Sequence, residues 1–418
     1  MTALVSVLNK HAVALAADSA ITITRSGSRK VHNGGNKLFA LSKYHPIGIM
    51  YCGNCDFMDT PVEVIIKMYR DHIGRTDFDT VEDYKNDFIK YILDNDFFCS
   101  KERQNLRITV EALKFCNIIK LLTTKQINAP IGSEEYVNEF EKQLNKIKVD
   151  KSKTCHGYAA IDDNYYHEAA KAACPKVFVD ESNKAIFASR ERLTALFTDA
   201  FTNFIRKENS NIDHIELVFA GFGHAQILPA ASCVNIYFGY NKALRYHDGL
   251  SLKLEGDYKA DILKAGQKDM MDTVTTGIHT CIENQLRDLL IHSLEPIVKE
   301  ISSQGITEEV KKRAITEVMA NFGEQLKTLK QKFTKPIIDS ISTLDKEDLA
   351  LLAESLISVT AINRRITYAE ESVGGPIDVA VISKSDGFIW IKRKHYFDGK
   401  LNPQFFDNYY NQGTTYHH

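Results

Sequence analysis

Threonine stands at position 2, and removal of Met1 would leave it as a free amino-terminal residue. An amino-terminal threonine carries a hydroxyl nucleophile and an α-amine on the same carbon skeleton. The amine has a pKa of about 8 when it is unperturbed, so it can accept the hydroxyl proton near neutral pH. Many chains begin with Met-Thr without using the threonine, so the chemistry depends on a site being assembled around Thr2.

A second group with chemical potential is the pair Cys52-Gly-Asn-Cys55. Two thiols at this spacing can form a reversible disulfide, with the first thiolate stabilised by a helix N-terminus. However, the helix expected after Thr60 begins several residues too late, and the flanking hairpins do not form a strand–helix–strand unit. We interpret the pair as small residues that line a pocket beside Gly53, with thiol redox chemistry as an alternative.

Composition narrows the function classes. The chain has 418 residues, 44% of them hydrophobic and 25% charged, which is ordinary for a globular protein. Its net charge of −2 gives no reason to expect nucleic acid or anionic lipid as a partner. No apolar run approaches the roughly 18 residues of a membrane helix, and Asn9-Lys10-His11 interrupts the one segment that resembles a signal peptide. Eight cysteines are scattered along the chain, which indicates reduced thiols in a cytoplasm. His214, His224 and His247 are isolated in the sequence and do not complete a zinc site.

Strands are predicted at both ends of the chain and in its middle, with helices in blocks between them. The predicted strands span residues 3–8, 12–17, 37–41, 47–52, 215–221, 230–240, 243–247, 250–255, 259–264, 377–383 and 388–394. Helical periodicity is predicted for most of 75–210, for 267–333 and for 346–365. It is also predicted from Pro61, after Asp59 or Thr60 as N-cap, with one apolar face made of Val62, Ile65, Ile66, Tyr69 and Ile73. This order favours an α+β fold in which two antiparallel sheets pack face to face with helices outside, and Leu4 with Val7 is expected to supply one inner face.

Several segments together resemble a known family. They are Thr2-Ala-Leu-Val-Ser-Val, Ala16-Ala-Asp18-Ser, Asn36-Lys37-Leu-Phe-Ala-Leu, Met50-Tyr-Cys-Gly53 and Gly374-Gly-Pro-Ile-Asp-Val-Ala-Val. In order and spacing they are similar to proteasome β-subunits and the bacterial proteasome-like peptidases, which are N-terminal nucleophile hydrolases with a four-layer αββα sandwich. The match covers about the first 75 residues well and covers 213–270 and 366–395 loosely. The resemblance implies a single domain over 1–418 with a mostly helical insertion at about 75–210.

The same resemblance implies the roles of four residues. Thr2 matches the nucleophile, and Lys37 matches the lysine whose ammonium lowers the pKa of the hydroxyl and stabilises negative charge. Asp18 matches the carboxylate that orients this lysine and keeps it charged. Gly53 matches the glycine whose N–H donates to the developing oxyanion.

Three further positions follow from the resemblance. Thr22 and Tyr51 fall where the family lines its substrate groove and its first specificity pocket. The serine of the family's Asp-x-x-Ser-Gly-Gly is kept as Ser372 if one residue is inserted, whereas alignment on the glycines puts Val373 there and Glu370 on the aspartate. The family's Gly-Ser-Gly, whose serine supports the amine, has its nearest match in Ala265-Gly266-Gln267, so either the serine is replaced or the alignment shifts here. With either alignment around Ser372, the residues that tune the Thr2 amine are altered.

The resemblance therefore implies a threonine-type peptidase or amidohydrolase that needs no cofactor or metal. Its partners would be a peptide or protein substrate, further copies of the chain in a homo-oligomer such as a ring, and an ATP-dependent unfoldase. The expected location is the cytoplasm. A different class is also compatible with the departures at Gln267 and Val373: a non-catalytic scaffold that retains the fold without the chemistry.

Overall fold

The computed structural model describes residues 2–25, 28–150, 156–158, 163–207, 212–240, 243–256, 259–302, 308–367 and 373–405. The chain forms two compact units, each assembled from separate stretches of sequence. The first contains Met1–Leu38, Ile227–Ala230 and Lys253–His418, and the second contains Phe39–Gln226 and Ala231–Leu252.

Strands and helices follow the predicted order. The strands are β1 (Ala3–Asn9), β2 (Val13–Ala17), β3 (Ile21–Arg25), β4 (Ser28–His32), β5 (Leu38–Ala40), β6 (Ile47–Gly53), β7 (Asp56–Phe57), β8 (Thr60–Pro61), β9 (His156–Tyr158), β10 (Ile215–Gly221), β11 (Ala230–Tyr240), β12 (Ala243–Lys253), β13 (Ala260–Gly266), β14 (Asp378–Ser383) and β15 (Gly387–Lys392). The helices are α1 (Val62–Ile73), α2 (Val81–Asp94), α3 (Lys101–Gln126), α4 (Glu134–Lys148), α5 (Asp163–Val179), α6 (Lys184–Phe187), α7 (Glu191–Arg206), α8 (Asp269–Thr276), α9 (Thr280–Ser302), α10 (Glu308–Ile341) and α11 (Lys346–Ile366), and a short 3₁₀ helix spans Gly399–Leu401.

The first unit is built on an antiparallel sheet with the strand order β13-β1-β2-β14-β15. The predicted amino-terminal hairpin is confirmed, since β1 pairs with β2 in the register Leu4↔Ala17 to Leu8↔Val13. Asn9 fixes its turn: the buried side-chain oxygen accepts hydrogen bonds from the amides of His11 and Ala12. The predicted final hairpin is confirmed as β14 and β15.

One face of this sheet packs against helix α11, which lies across β1, β2 and β14. Val5 and Val7 belong to the resulting core, together with Leu349 and Ile357 of α11. Leu4 is also fully buried but lies outside that core. Because successive side chains of a strand point to opposite faces, Leu4 and Val7 cannot share one, and the expectation that they do was wrong.

The second unit contains a sheet with the order β5-β6-β10-β11-β12-β9. Helix α2 packs against β10, while α3, α4, α5 and α7 pack against one another. Their shared core is rich in phenylalanine: Phe115, Phe140, Phe187, Phe197, Phe201 and Phe204. The role of residues 75–210, which hold α2 to α7 and β9, as an insertion into a single proteasome-like domain stays a prediction.

Some elements differ from those predicted. Helix α1 begins at Val62 with Pro61 as its N-cap, because Thr60 and Pro61 pair with Asp56 and Phe57 as a short ladder. The buried face of α1 nevertheless consists of the five predicted apolar residues. The predicted strands 243–247 and 250–255 form a single strand, β12. The paired strands β3 and β4 were not predicted.

The fold class is α+β, with antiparallel sheets and packed helices in both units. The face-to-face arrangement of a four-layer αββα sandwich stays a prediction. Within the described ranges, no helix has both the length and the apolar character that crossing a bilayer requires.

Candidate functional site

Thr2 and Asp18 lie at the same end of the first hairpin, because β1 begins at Ala3 and β2 ends at Ala17. The Asp18 amide donates to the Ala3 carbonyl at 3.3 Å, and the Ala3 amide donates to Asp18 Oδ1 at 3.0 Å. The side chain of Asp18 thus accepts the amide of the residue that follows Thr2. These bonds end the pairing of β1 and β2 next to Thr2, the predicted nucleophile.

Lys37 immediately precedes β5 and points its ammonium at this carboxylate. Its Nζ lies 2.9 Å from Asp18 Oδ1, and the two side chains are only 2% and 0% exposed. The same ammonium donates to the carbonyl of Ala20. Since one Asp18 oxygen accepts both the ammonium and the Ala3 amide, the ammonium is beside the peptide group that joins Thr2 to Ala3. The structure brings Asp18 and Lys37 together and places them beside the backbone that follows Thr2.

The second oxygen of Asp18 is held by backbone donors. The amides of Ala20 and Gly374 each donate to Oδ2 at 3.1 Å. The Ser19 amide donates to the Gly374 carbonyl at 3.0 Å, which joins the two segments side by side. Charge-assisted bonds of this kind are roughly twice as strong as neutral ones, so the carboxylate is fixed in place before any substrate arrives.

Glycine is required in the segment that delivers the Gly374 amide. Gly375 has φ +73°, and a Cβ there would lie 2.9 Å from the carbonyl oxygen of Asn33. Both the left-handed backbone and the lack of space exclude a side chain. The motif Gly374-Gly-Pro was recognised in the sequence, but its contact with Asp18 was not, because nothing in the spacing indicates which partner the amide meets.

Thr2 is itself buried, with 7% of its surface exposed. Its carbonyl oxygen accepts a 2.7 Å hydrogen bond from the amide of Gln267, the residue after β13. The peptide group between Thr2 and Ala3 is therefore held on both sides, by Gln267 at the carbonyl and by Asp18 at the amide. Gln267 belongs to the segment that is the nearest match to the Gly-Ser-Gly of the family that the sequence resembles.

The remaining predicted residue of this region is Ser372, which lies outside the described residues, as does Glu370. Val373 is 4% exposed and belongs to the core beneath α11. Its side chain serves packing. Thr22, on β3, is half-buried, and its Oγ1 is buried without a hydrogen-bond partner among the described residues. A role for Thr22 in binding substrate stays a prediction.

Gly53 and Tyr51 lie at the end of β6 in the second unit. Gly53 has φ +86°, and a Cβ there would lie 2.4 Å from the carbonyl oxygen of His214, so the backbone demands glycine whatever its chemical role. Tyr51 is 4% exposed and stacks on Phe39, and burial raises the pKa of its phenol well above the usual value. The oxyanion role of Gly53 and the pocket role of Tyr51 stay predictions.

The cysteine pair has a different environment from a redox site. Cys52 and Cys55 are both thiols outside any disulfide. The Cys52 thiol donates to Glu216 Oε2 at 3.2 Å, and the Cys233 thiol donates to the other oxygen at 3.4 Å. A carboxylate acceptor stabilises the protonated thiol rather than the thiolate that disulfide exchange needs. This contact gives no support to the redox alternative.

The three histidines weighed as metal ligands have protein partners. His247 contacts Tyr237 at 2.8 Å and Asn235 at 3.0 Å, one through each ring nitrogen. His224 lies 3.1 Å from Asp77, and His214 contacts the carbonyl of Ile212. Among the described residues, no group of three or more His, Cys, Asp or Glu side chains is arranged to hold a metal ion.

Comparison with known proteins finds similarity among solved structures. No protein-family model and no characterised protein sequence matches the chain. Among solved structures, a Gly-1 mutant of Anbu from Hyphomicrobium sp. strain MC1 is similar at a TM-score of 0.31 and 10% identity, over 97% of this chain and 94% of that one. We assign no residue a role on a likeness of this size.

Proposed function

We propose that this chain is an N-terminal threonine hydrolase, a peptidase or amidohydrolase whose nucleophile is the Thr2 hydroxyl. The observation that carries the proposal is the buried Lys37–Asp18 ion pair, which shares an oxygen with the amide next to Thr2. An ammonium kept charged at this position lowers the cost of forming a threonine alkoxide.

The reaction begins once Met1 has been removed. The Thr2 α-amine takes the hydroxyl proton while Oγ1 attacks the carbonyl carbon of an amide, which gives a tetrahedral oxyanion. Collapse of the oxyanion breaks the C–N bond, the leaving amine receives the proton, and an ester joins the acyl group to Thr2. A water molecule, deprotonated by the same amine, then attacks the ester, releases the carboxylic acid and restores Thr2. In this scheme Gly53 N–H stabilises the oxyanion, and Ser372 is one of the residues that tune the amine.

The fixed position of Asp18 gives the lysine its function. A buried lysine alone tends to lose its proton, because burial disfavours the charged form. Asp18 offsets this effect, and three backbone amides, from Ala3, Ala20 and Gly374, prevent the carboxylate from turning away. The charge is therefore preorganised, so little reorganisation is needed when negative charge develops on Thr2.

The proposal also includes the substrate, the fold and the partners that the family resemblance implies. The substrate would be a peptide or protein, and the fold would be a four-layer αββα sandwich. Copies of the chain would assemble as a homo-oligomer, with an ATP-dependent unfoldase as a partner. A non-catalytic scaffold is the second candidate. It is favoured by Val373, whose side chain belongs to the core. If the alignment on the glycines is correct, this side chain takes the place of a polar residue of the site.

Labelling by an electrophilic peptide probe tests the function. The wild-type chain is expected to react with the probe, and Thr2→Ala is expected to lose the reaction with its fold intact. Lys37→Met should react much more slowly, whereas Lys10→Ala, which removes an exposed lysine from the first hairpin, should react like the wild type. A wild-type chain that does not react would favour the scaffold.

A further inference from the structure

A polar cluster lies behind the carbonyl of Thr2, on the side away from Asp18. We propose that Arg364 and Gln267 form a positioning pair that holds this carbonyl and so fixes the Thr2 backbone for reaction. The inference rests on the proposed function, because it assigns to the same site a residue pair that supports the nucleophile without touching substrate.

The pair connects three elements of the first unit. The Gln267 amide donates to the Thr2 carbonyl at 2.7 Å, and its side-chain Oε1 accepts a hydrogen bond from Arg364 Nη2. The same nitrogen donates to Asp269 Oδ2 at 2.6 Å. The residue after β13, the first turn of α8 and the last turn of α11 therefore meet behind Thr2.

Helix α11 gives the pair a rigid support. Arg364 extends from its last turn, and the body of the helix packs across β1 and β2, the strands that carry Thr2 and Asp18. Gly266, which precedes Gln267, has φ +69°, a conformation that glycine permits but does not enforce. Ala3 pairs with Gly266 in the ladder between β1 and β13, so the Gln267 amide continues this ladder at Thr2. The side-chain bond to Arg364 anchors Gln267 from a second direction.

Two buried polar atoms of this cluster lack a hydrogen-bond partner among the described residues, which is unusual for a contact that serves only stability. Arg364 Nε and Asp269 Oδ1 are buried and have no hydrogen-bond partner among the described residues. Buried polar atoms without partners reduce stability, so packing alone does not explain these two. Their presence beside the Thr2 carbonyl is accounted for if the guanidinium is needed for its contact with Gln267.

The consequence for catalysis is geometric. A peptide group is planar, so fixing its carbonyl through Gln267 and its amide through Asp18 also fixes the Cα of Thr2, which lies in the same plane. Rotations about the Cα–C and Cα–Cβ bonds of Thr2 then remain to orient the amine and the hydroxyl. Loss of the pair frees the plane and lowers the fraction of molecules in a reactive arrangement.

Probe inactivation kinetics test the inference. Arg364→Met and Gln267→Ala should each lower kinact by about tenfold or more with little change in KI, since a displaced nucleophile reacts slowly although the probe still binds. The double variant should be no slower than the worse single one, because the two residues act as one unit. Gln267→Glu keeps the acceptor and should recover most of the lost rate. The matched control is Arg365→Met, which removes the exposed neighbouring arginine and should react like the wild type.

Each other outcome is decisive. Single variants that react at the wild-type rate, a double variant whose loss is the product of the two single losses, or a change in KI alone would each overturn the positioning role. If Arg364→Met does not fold, the contrast between Gln267→Ala and Gln267→Glu decides in its place. A wild-type chain that does not react at Thr2 overturns the proposed function and this inference together, whereas a reactive wild type with unaffected variants overturns only the inference.

Discussion

The Lys37 ammonium lies 2.9 Å from Asp18 Oδ1, and both side chains are almost fully excluded from water. Asp18 uses this same oxygen to hold the amide of Ala3. One carboxylate therefore positions both the predicted activator and the strand that carries the predicted nucleophile.

The two halves of the ion pair should differ in their effect on stability. Asp18→Asn leaves a buried ammonium without its counter-charge and should lower the free energy of unfolding by about 3 kcal/mol. Lys37→Met should cost less, because the remaining carboxylate keeps the three backbone donors of Ala3, Ala20 and Gly374. Urea denaturation of both variants measures the difference, and a larger loss for Lys37→Met would contradict this assignment of contacts.

Neighbouring glycines should respond differently to alanine. Gly375→Ala introduces a side chain at φ +73° and 2.9 Å from the Asn33 carbonyl oxygen, which should cost about 1–2 kcal/mol or more and displace the Gly374 amide from Asp18. Gly374→Ala meets no atom within 4 Å and should leave the unfolding free energy within about 0.5 kcal/mol of wild type. Equal stability of the two variants in thermal or urea unfolding would show that the backbone here is not constrained as described.

Asn9 should matter for stability and not for chemistry. Its buried side-chain amide donates to the carbonyls of Ile341 at 3.0 Å and Leu344 at 2.8 Å, at the end of α10, far along β1 from Thr2. Asn9→Ala leaves these groups unpaired and should lower the free energy of unfolding by about 2–3 kcal/mol. The folded variant should still react with the probe at the wild-type rate. If the fully folded variant reacts with the probe at a different rate from the wild type, the end of α10 is coupled to the site.

The pH dependence of stability has one predicted contributor in β13. Burial raises the pKa of Asp261 above its usual value, against the hydrogen bond from the Ile262 amide and the nearby charge of Lys264. The folded state thus binds this proton more tightly than the unfolded state, so the group lowers stability as the pH rises from about 3.9 through the raised pKa. Asp261→Asn should be more stable than wild type at neutral pH, and the gain should disappear as the pH falls towards 3. A gain that persists in acid would point to another cause.

Local sequence patterns were sufficient to predict much of the fold. The alternating apolar residues of β1 and β2 and the apolar face of α1 were readable because they depend on neighbours within a few positions. The division of β12 at Asp248-Gly249 failed because Gly249 serves a close approach instead of a turn: a Cβ there would lie 3.0 Å from Cys233 Sγ. Asp248 also pairs with Lys85, which no local pattern reveals.

Only part of the candidate site could be predicted from the sequence. Thr2, Asp18 and Lys37 were selected through a family resemblance, since no periodicity connects residues 19 positions apart. The contact between Arg364 and Gln267 joins positions 97 residues apart and was missed. The one available signal was a basic last turn in α11, which is equally common in helices that do nothing but balance their dipole.

The most direct test is a mass-spectrometric map of the purified chain after reaction with the electrophilic probe. The account predicts that Met1 is absent, that the amino-terminal peptide begins at Thr2, and that this peptide carries the adduct. A chain that retains Met1, or an adduct that persists at another residue in Thr2→Ala, would contradict it.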